Sequence, residues 1–325
     1  MRWRDEAARP RPPHALVVRA EDAPGPTLVL RGDQLPPNAV ILSRELAELP
    51  PPSSPFARTP GKIAVYGPSG HPGADLDYRF VQALPGGRFD FRTGCGHSLL
   101  ACVVAHGANR PPATARRPLT VRAVTVRAVT TGDLVRCLPE PADESDGEGG
   151  DGGDGGDGGA YTVEFLRAPD APGTLPTGEP VTLLDGVPVT LVRYGNPYVL
   201  VDARRTAVTE ARLLDLRARA ARILGHPPHS PLPKIAAVRR APDGGLAVRA
   251  LTVGGWHPRL ALTGAAAVAA AGAIAGTVVD GPVAEIRTPQ APVSVSVTGG
   301  SVRVHHKRAR VTGRLELPWR IHATA

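Results

Sequence analysis

The chain has 325 residues, enough for about two domains of ordinary size. Hydrophobic residues make up 42% of it, which excludes global disorder, while aromatics at 4% leave the cores to Val, Leu, Ile and Ala. The net charge of +8 comes from scattered arginines without interleaved aromatics or a zinc or helix-turn-helix pattern. That balance points to an anionic small molecule and away from nucleic acid.

Three cysteines, Cys95, Cys102 and Cys137, are too few and odd in number for a disulfide framework, so a reducing compartment is expected. Residues 1–14 lack an apolar core, so no leader is expected and the protein reads as cytoplasmic. The Ala-rich run from Leu260 to Val279 is broken by glycines and threonines and reads as a buried helix, not a membrane span.

In chain order, strands are predicted at 15–19, 27–31 and 62–66, then an apolar helix at 96–106. Strands follow at 118–130, 161–167, 189–193 and 198–202. An amphipathic helix at 208–224 carries Leu213, Leu216 and Ala220 on one face and is closed by Gly225. Strands at 234–239 and 246–252, a helix at 264–273 and strands at 293–297 and 301–305 complete the set. The acidic glycine tract 143–159 lacks the apolar spacing of a calcium repeat and reads as a flexible loop of the first lobe.

The order contains an internal repeat. Lys62-Ile63-Ala64-Val65 matches Lys234-Ile235-Ala236-Ala237, and some thirty residues later Thr93-Gly94-Cys95 matches Thr263-Gly264-Ala265. Upstream, Leu16-Val17-Val18-Arg19 and Thr190-Leu191-Val192-Arg193 each lead through a turn into a second strand. Two lobes are expected, 1–180 and 181–325, with C-terminal strands crossing back to the first.

Cys95 is the residue that points to chemistry. Gly94 and Gly96 flank it at a helix start, where backbone N–H groups are free and the dipole favours a thiolate or a bound carboxylate. Cys102, in mid-helix, reads as inert core. Lys62 at a strand edge and His97 beside the thiol are the candidate acid–base partners. Ala265 stands where a second thiol would be, which argues against a two-cysteine racemase and for a one-sided proton shift. No metal-ligand spacing, dinucleotide fingerprint or phosphate loop occurs, so no metal and no cofactor are expected.

Taken together, Lys62-Ile63-Ala64-Val65, Gly94-Cys95-Gly96, Gly195-Asn196-Pro197-Tyr198-Val199, Pro233-Lys234-Ile235-Ala236, His257 with Thr263-Gly264-Ala265, and Gly276-Thr277-Val278-Val279 resemble the methylaconitate cis–trans isomerase family. The resemblance implies an α+β, diaminopimelate-epimerase-like fold: two pseudo-symmetric lobes, each a curled, mostly antiparallel sheet around a central apolar helix. It also implies cofactor-independent proton transfer by Cys95 and Lys62. The substrate-contacting candidates are Arg19, Gly94, Gly96, Ser98, Asn196, His257, Thr263, Gly264 and Ala265. Departures are plain: Ala20-Glu21-Asp22-Ala23-Pro24-Gly25 replaces a Gly/Thr/Ser-rich loop, Phe56-Ala57-Arg58-Thr59-Pro60-Gly61 precedes the lysine, and Arg287-Thr288-Pro289-Gln290 replaces a late His-Pro-Ser-Gly. These departures point away from a small tricarboxylate. The expected function is an isomerase or tautomerase of a specialised metabolite, with a small-molecule partner and a monomer or homodimer. A cyclase built on the same scaffold and a non-catalytic binding protein are the alternatives.

Overall fold

The structure is a computed structural model and describes residues 13–35, 38–48, 61–84, 88–109, 122–141, 159–227, 230–252 and 255–317. Most of the glycine tract and part of the predicted strand 118–130 fall outside these residues.

The first half runs β1 (His14–Ala20), β2 (Thr27–Arg31), α1 (Ala39–Glu48), β3 (Lys62–Pro68), β4 (Leu76–Leu84), β5 (Arg88–Asp90), α2 (Gly96–Ala108), β6 (Val124–Ala128), β7 (Leu134–Pro139) and β8 (Ala160–Phe165). After the short β9 (Thr182–Leu184) come β10 (Val187–Tyr194), β11 (Asn196–Asp202), α3 (Glu210–Ile223), β12 (Lys234–Arg240), β13 (Leu246–Thr252) and β14 (Gly255–Trp256). The chain continues through α4 (Leu262–Gly272), β15 (Glu285–Arg287), β16 (Val293–Val297) and β17 (Val302–Glu316).

Seven strand pairings of the first half recur in the second in the same order and sense. β1–β2 is antiparallel, β2–β3 parallel, β3–β4 and β4–β5 antiparallel, β4–β6 parallel, and β6–β7 and β7–β8 antiparallel. From β10–β11 through β16–β17 the same sequence of senses repeats. The two halves then share β17. Its first part, Val302–Arg308, pairs with β8, and Ala309–Glu316 pairs with β1. The first half thereby closes as an eight-stranded mixed barrel, β1-β2-β3-β4-β6-β7-β8-β17.

Strand alternation explains where the core sits. In β3, Ala64 and Tyr66 face one core and Ile63 and Val65 face another, under α1. In β12, Ala236 and Val238 face the same central core, while Ile235 and Ala237 pack with α3. Residues of α2 and α4 contribute to that one central cluster, which runs through both halves. All of α4 is buried, and its alanines let strands approach closely. No helix among the described residues is long and apolar enough to cross a membrane.

α3 shows how local sequence sets an element. The Thr209 side chain caps it by accepting from the Arg212 amide at 3.2 Å. At the other end Gly225 takes φ +71°, and the His226 amide reaches back to the Ala221 carbonyl at 2.8 Å, the Schellman ending that glycine permits. Sequence periodicity missed α1, β4, β5, β7, β9, β14 and β15. It also stopped the last strand at 305, where β17 continues to Glu316 because β1 supplies a partner for its second half.

Candidate active site

Cys95 is the N-cap of α2, with φ −146° and ψ 110°, and its side chain is half-buried against the central core. Two bonds pin its carbonyl: the Leu99 amide donates at 2.9 Å and the Tyr78 hydroxyl, from β4, also at 2.9 Å. The amides of Gly96, His97 and Ser98 precede the first intrahelical bond, so they lack an acceptor within the helix. A cavity of about 20 Å³ adjoins the thiol, lined by Cys95, Gly94, Asn196, Thr263, Tyr78 and Phe165 among others. It has room for about one water.

The second half reaches this turn through Asn196. Its Oδ1 accepts from the Gly94 amide at 2.8 Å and its Nδ2 donates to the Gly94 carbonyl at 2.7 Å. The two helix starts also abut. A Cβ at Gly96 would fall 2.7 Å from Leu262 Cδ2, so only glycine allows this approach. Gly195, at φ +71°, leaves 3.1 Å between its would-be Cβ and Thr263 Cγ2.

Lysines mark the rest of the site. The chain has three lysines among its 38 basic residues: Lys62, Lys234 and Lys307. Lys62 opens β3 and Lys234 opens β12, and alternation puts both on the faces that carry Ala64 and Ala236 toward the central core. Burial pulls Lys234 down to about 8, against the opposing pull of Cys95. Lys307, from β17, donates to the buried carboxylate of Asp22, which also accepts from Arg259. Asp22 lies in the segment that departs from the resembled family, so that remodelled turn carries a carboxylate into the site.

Two histidines face each other between these groups, His97 and His257, with ring centroids 6.5 Å apart and planes 17° from parallel. Burial, then the positive charges of Lys62 and Lys307, hold His97 well below the usual imidazole range. Burial, then Lys62, pull His257 down to about 4. Both rings are therefore neutral near pH 7. His97 Nε2 is buried and has no hydrogen-bond partner among the described residues.

The candidates read from sequence divide. Cys95, Lys62, His97, His257, Asn196, Gly94, Gly96 and Thr263 gather where the halves meet. Three expectations need correction and one is narrowed. Arg19 is exposed and alternates with Val18 and Ala20, so it points away from the central core. Ser98 is fully buried with its hydroxyl paired to Thr27 Oγ1 at 2.9 Å, so burial keeps it from a substrate. Gly264 and Ala265 lie inside α4, not ahead of it. Their amides already bond to the Ala261 carbonyl at 2.7 and 2.9 Å, because no glycine break holds off the helix before Leu262. The second helix start therefore offers the amides of Leu262 and Thr263 only. Sequence reasoning missed Asp22, Arg259, Lys307 and Lys234 as site residues. The usable signal was the scarcity of lysine in a chain that otherwise uses arginine.

A closed mixed barrel with a second half of the same topology is the scaffold on which comparison with known proteins identifies an enzyme of the isomerase class. The profile of the PrpF protein family matches residues 57–317, and the chain belongs to that family as a divergent, methylaconitate isomerase-like member. YbhH of Escherichia coli K12, assigned as an isomerase, is 28% identical over 243 residues, covering 67% of this chain and 68% of that protein. The crystal structure of methylitaconate-delta-isomerase superposes with a TM-score of 0.64 at 22% identity, covering 97% of this chain and 99% of that one. A hydroxyproline epimerase from Agrobacterium vitis gives 0.52 at 15% identity, covering 98% and 94%. The structural likenesses speak for the fold.

Proposed function

We propose that the junction of the two halves isomerises a small carboxylate by moving a proton on the carbon next to a carboxyl group, without a bound cofactor. In this reading the lobes are 1–180 and 181–325, each a sheet curled on its buried helix, and the enzyme works in the reducing cytoplasm. The observation that carries the proposal is a half-buried thiol at a helix start, in a site whose second half supplies alanine where another thiol would stand.

Cys95 as thiolate takes the proton. The electron pair moves toward the carboxyl group and makes an enediolate. The open amides of Gly96, His97 and Ser98 meet that developing charge at the dipole's positive end. Lys62 lies on the same inner face and adds a cation, and neutral His97 offers its unpartnered Nε2 to a substrate oxygen. Lys62, Lys234, Lys307 and Arg259 outnumber the carboxylate of Asp22, which favours an anionic substrate. The relative named for methylitaconate makes unsaturated dicarboxylates the first compounds to try.

The test is incubation with methylitaconate and other small unsaturated dicarboxylates in D2O, followed by proton NMR. Isomer formation with deuterium entering the product supports the reading. Full turnover in both Cys95→Ala and Lys62→Ala sinks the acid–base assignment.

A further inference from the structure

Lys234 is a half-buried amine to which the mechanism above gives charge but no proton-transfer role. Three observations converge on it. First, the duplicated topology makes it the counterpart of Lys62. β2 pairs with β3 and β11 with β12 in parallel, so Lys62 is the neighbour of Thr27 and Lys234 is level with Tyr198. Thr27 bonds to Ser98 in the first turn of α2, and the Tyr198 hydroxyl packs on the first turn of α4, where a Cβ at Gly264 would lie 2.7 Å from it. Each lysine thus stands under its own half's helix start.

Second, strand alternation turns Lys234 toward the central core that Cys95 packs against, and its outward neighbours Ile235 and Ala237 belong to the α3 side. Its charge environment spans the junction: Cys95, Asp90 and Lys62 come from the first half, and Arg217 of α3 from the second. His257 also feels it. Third, this chain writes nearly every cation as arginine, yet keeps lysine at 62, 234 and 307. Arginine stays protonated in proteins, whereas a desolvated lysine gains and loses its proton. Retention of an amine at 234 fits a need for proton exchange more than for charge.

We propose that Lys234 is a proton-transfer group of this site, giving a proton to substrate carbon from the second half while Cys95 removes one from the first. The inference rests on the isomerase reading above. In the forward step the thiolate forms an S–H bond as the substrate C–H bond breaks. The electron pair delocalises into the enediolate. The Lys234 ammonium then loses an N–H proton to the far carbon as the new C–H bond forms. One turnover leaves a Cys95 thiol and a Lys234 amine, and solvent water carries the proton from one to the other. The second half carries no thiol at its helix start and works through its strand start.

Methylitaconate and the same dicarboxylates in D2O, with full-length wild type, Lys234→Met and Lys234→Arg, decide this. Lys234→Met is expected to lose net isomerisation by about 100-fold or more. It keeps deuterium exchange at the carbon served by Cys95. Lys234→Arg stays as low, because a guanidinium restores charge and gives up no proton. Wild-type turnover in either variant overturns the inference and leaves the isomerase reading standing. Absence of both exchange and turnover in the wild type overturns the reading, and the inference falls with it. A second measurement needs no substrate. Reductive methylation with ¹³C-formaldehyde labels the three lysines and the N-terminus, and lysine-to-arginine variants assign the signals. The Lys234 signal is expected to titrate near 8. A midpoint near the ordinary 10.5 overturns the inference.

Discussion

The starts of α2 and α4 are the same place in a duplicated fold, built differently. Before α2, glycines on both sides of Cys95 stop the helix at the thiol and leave three amides open beyond it. Before α4, the apolar Leu260-Ala261-Leu262 lets the helix begin earlier, so Thr263-Gly264 is absorbed into its first turn and two of its amides are consumed. The α2 start leaves three amides without a helical acceptor, and the α4 start leaves two, those of Leu262 and Thr263. The two halves share a scaffold, and the thiol stands at the start that glycine flanks on both sides.

The largest effect that tests this contrast is on turnover. Cys95→Ala is expected to cost on the order of 10³-fold in the isomerisation assay, whereas Ala265→Cys, placed inside a closed helix turn, is expected to add no second exchange site. Equal deuterium exchange from both positions would break the contrast. Acid stability comes next. His257 is held neutral down to about pH 4, and His97 is shifted the same way. Between the ordinary histidine value near 6.5 and about 4 the unfolded chain binds more protons than the folded one. Their contribution is therefore complete above about pH 6.5 and is lost as pH falls toward 4, by on the order of 3 kcal/mol for His257. Urea titrations at pH 7 and pH 4.5 measure the loss, and His257→Gln should flatten it.

Smaller effects sharpen the packing side. Gly96→Ala drives a methyl into Leu262 and is expected to cost about 1–3 kcal/mol. Gly107→Ala, on the exposed face of the same helix with open space around it, is expected to gain about 0.5–1 kcal/mol. If thermal melts moved both variants alike, the close approach of the two helix starts would not be what glycine serves at 96. Asn196→Ala removes both bonds to Gly94, with an expected cost of about 1–3 kcal/mol and a loss of turnover from the loosened Cys95 turn.

Much of the scaffold was legible because its signals are short-range. Lys62-Ile63-Ala64-Val65 and its copy at 234 read as strands, and the leucine stripe from Leu213 to Ala220 read as a helix. β4 escaped notice because Asp77, Arg79 and Gln82 interrupt its apolar run, though Leu76, Tyr78 and Phe80 alternate inward. Cys95 was legible from its flanking glycines. Asp22 with Lys307 was not: the partners lie 285 residues apart, and nothing local to either announces the other. Arg19 misled because β1 is buried on both sides except at that position, and an isolated cation in an apolar strand resembles a ligand contact.

β17 has a consequence for synthesis. It is the stave that closes the first barrel, yet it lies nearly three hundred residues beyond β1. A ribosome delivers β1 and β8 long before it, and until then both keep open hydrogen-bonding edges. Lys307 arrives with the same strand, so Asp22 waits for its counter-ion over the same interval. The half that carries the thiol is thus translated first and completed last. A nascent chain ending before residue 302 should expose those edges to chaperones and stay inert until the closing strand emerges.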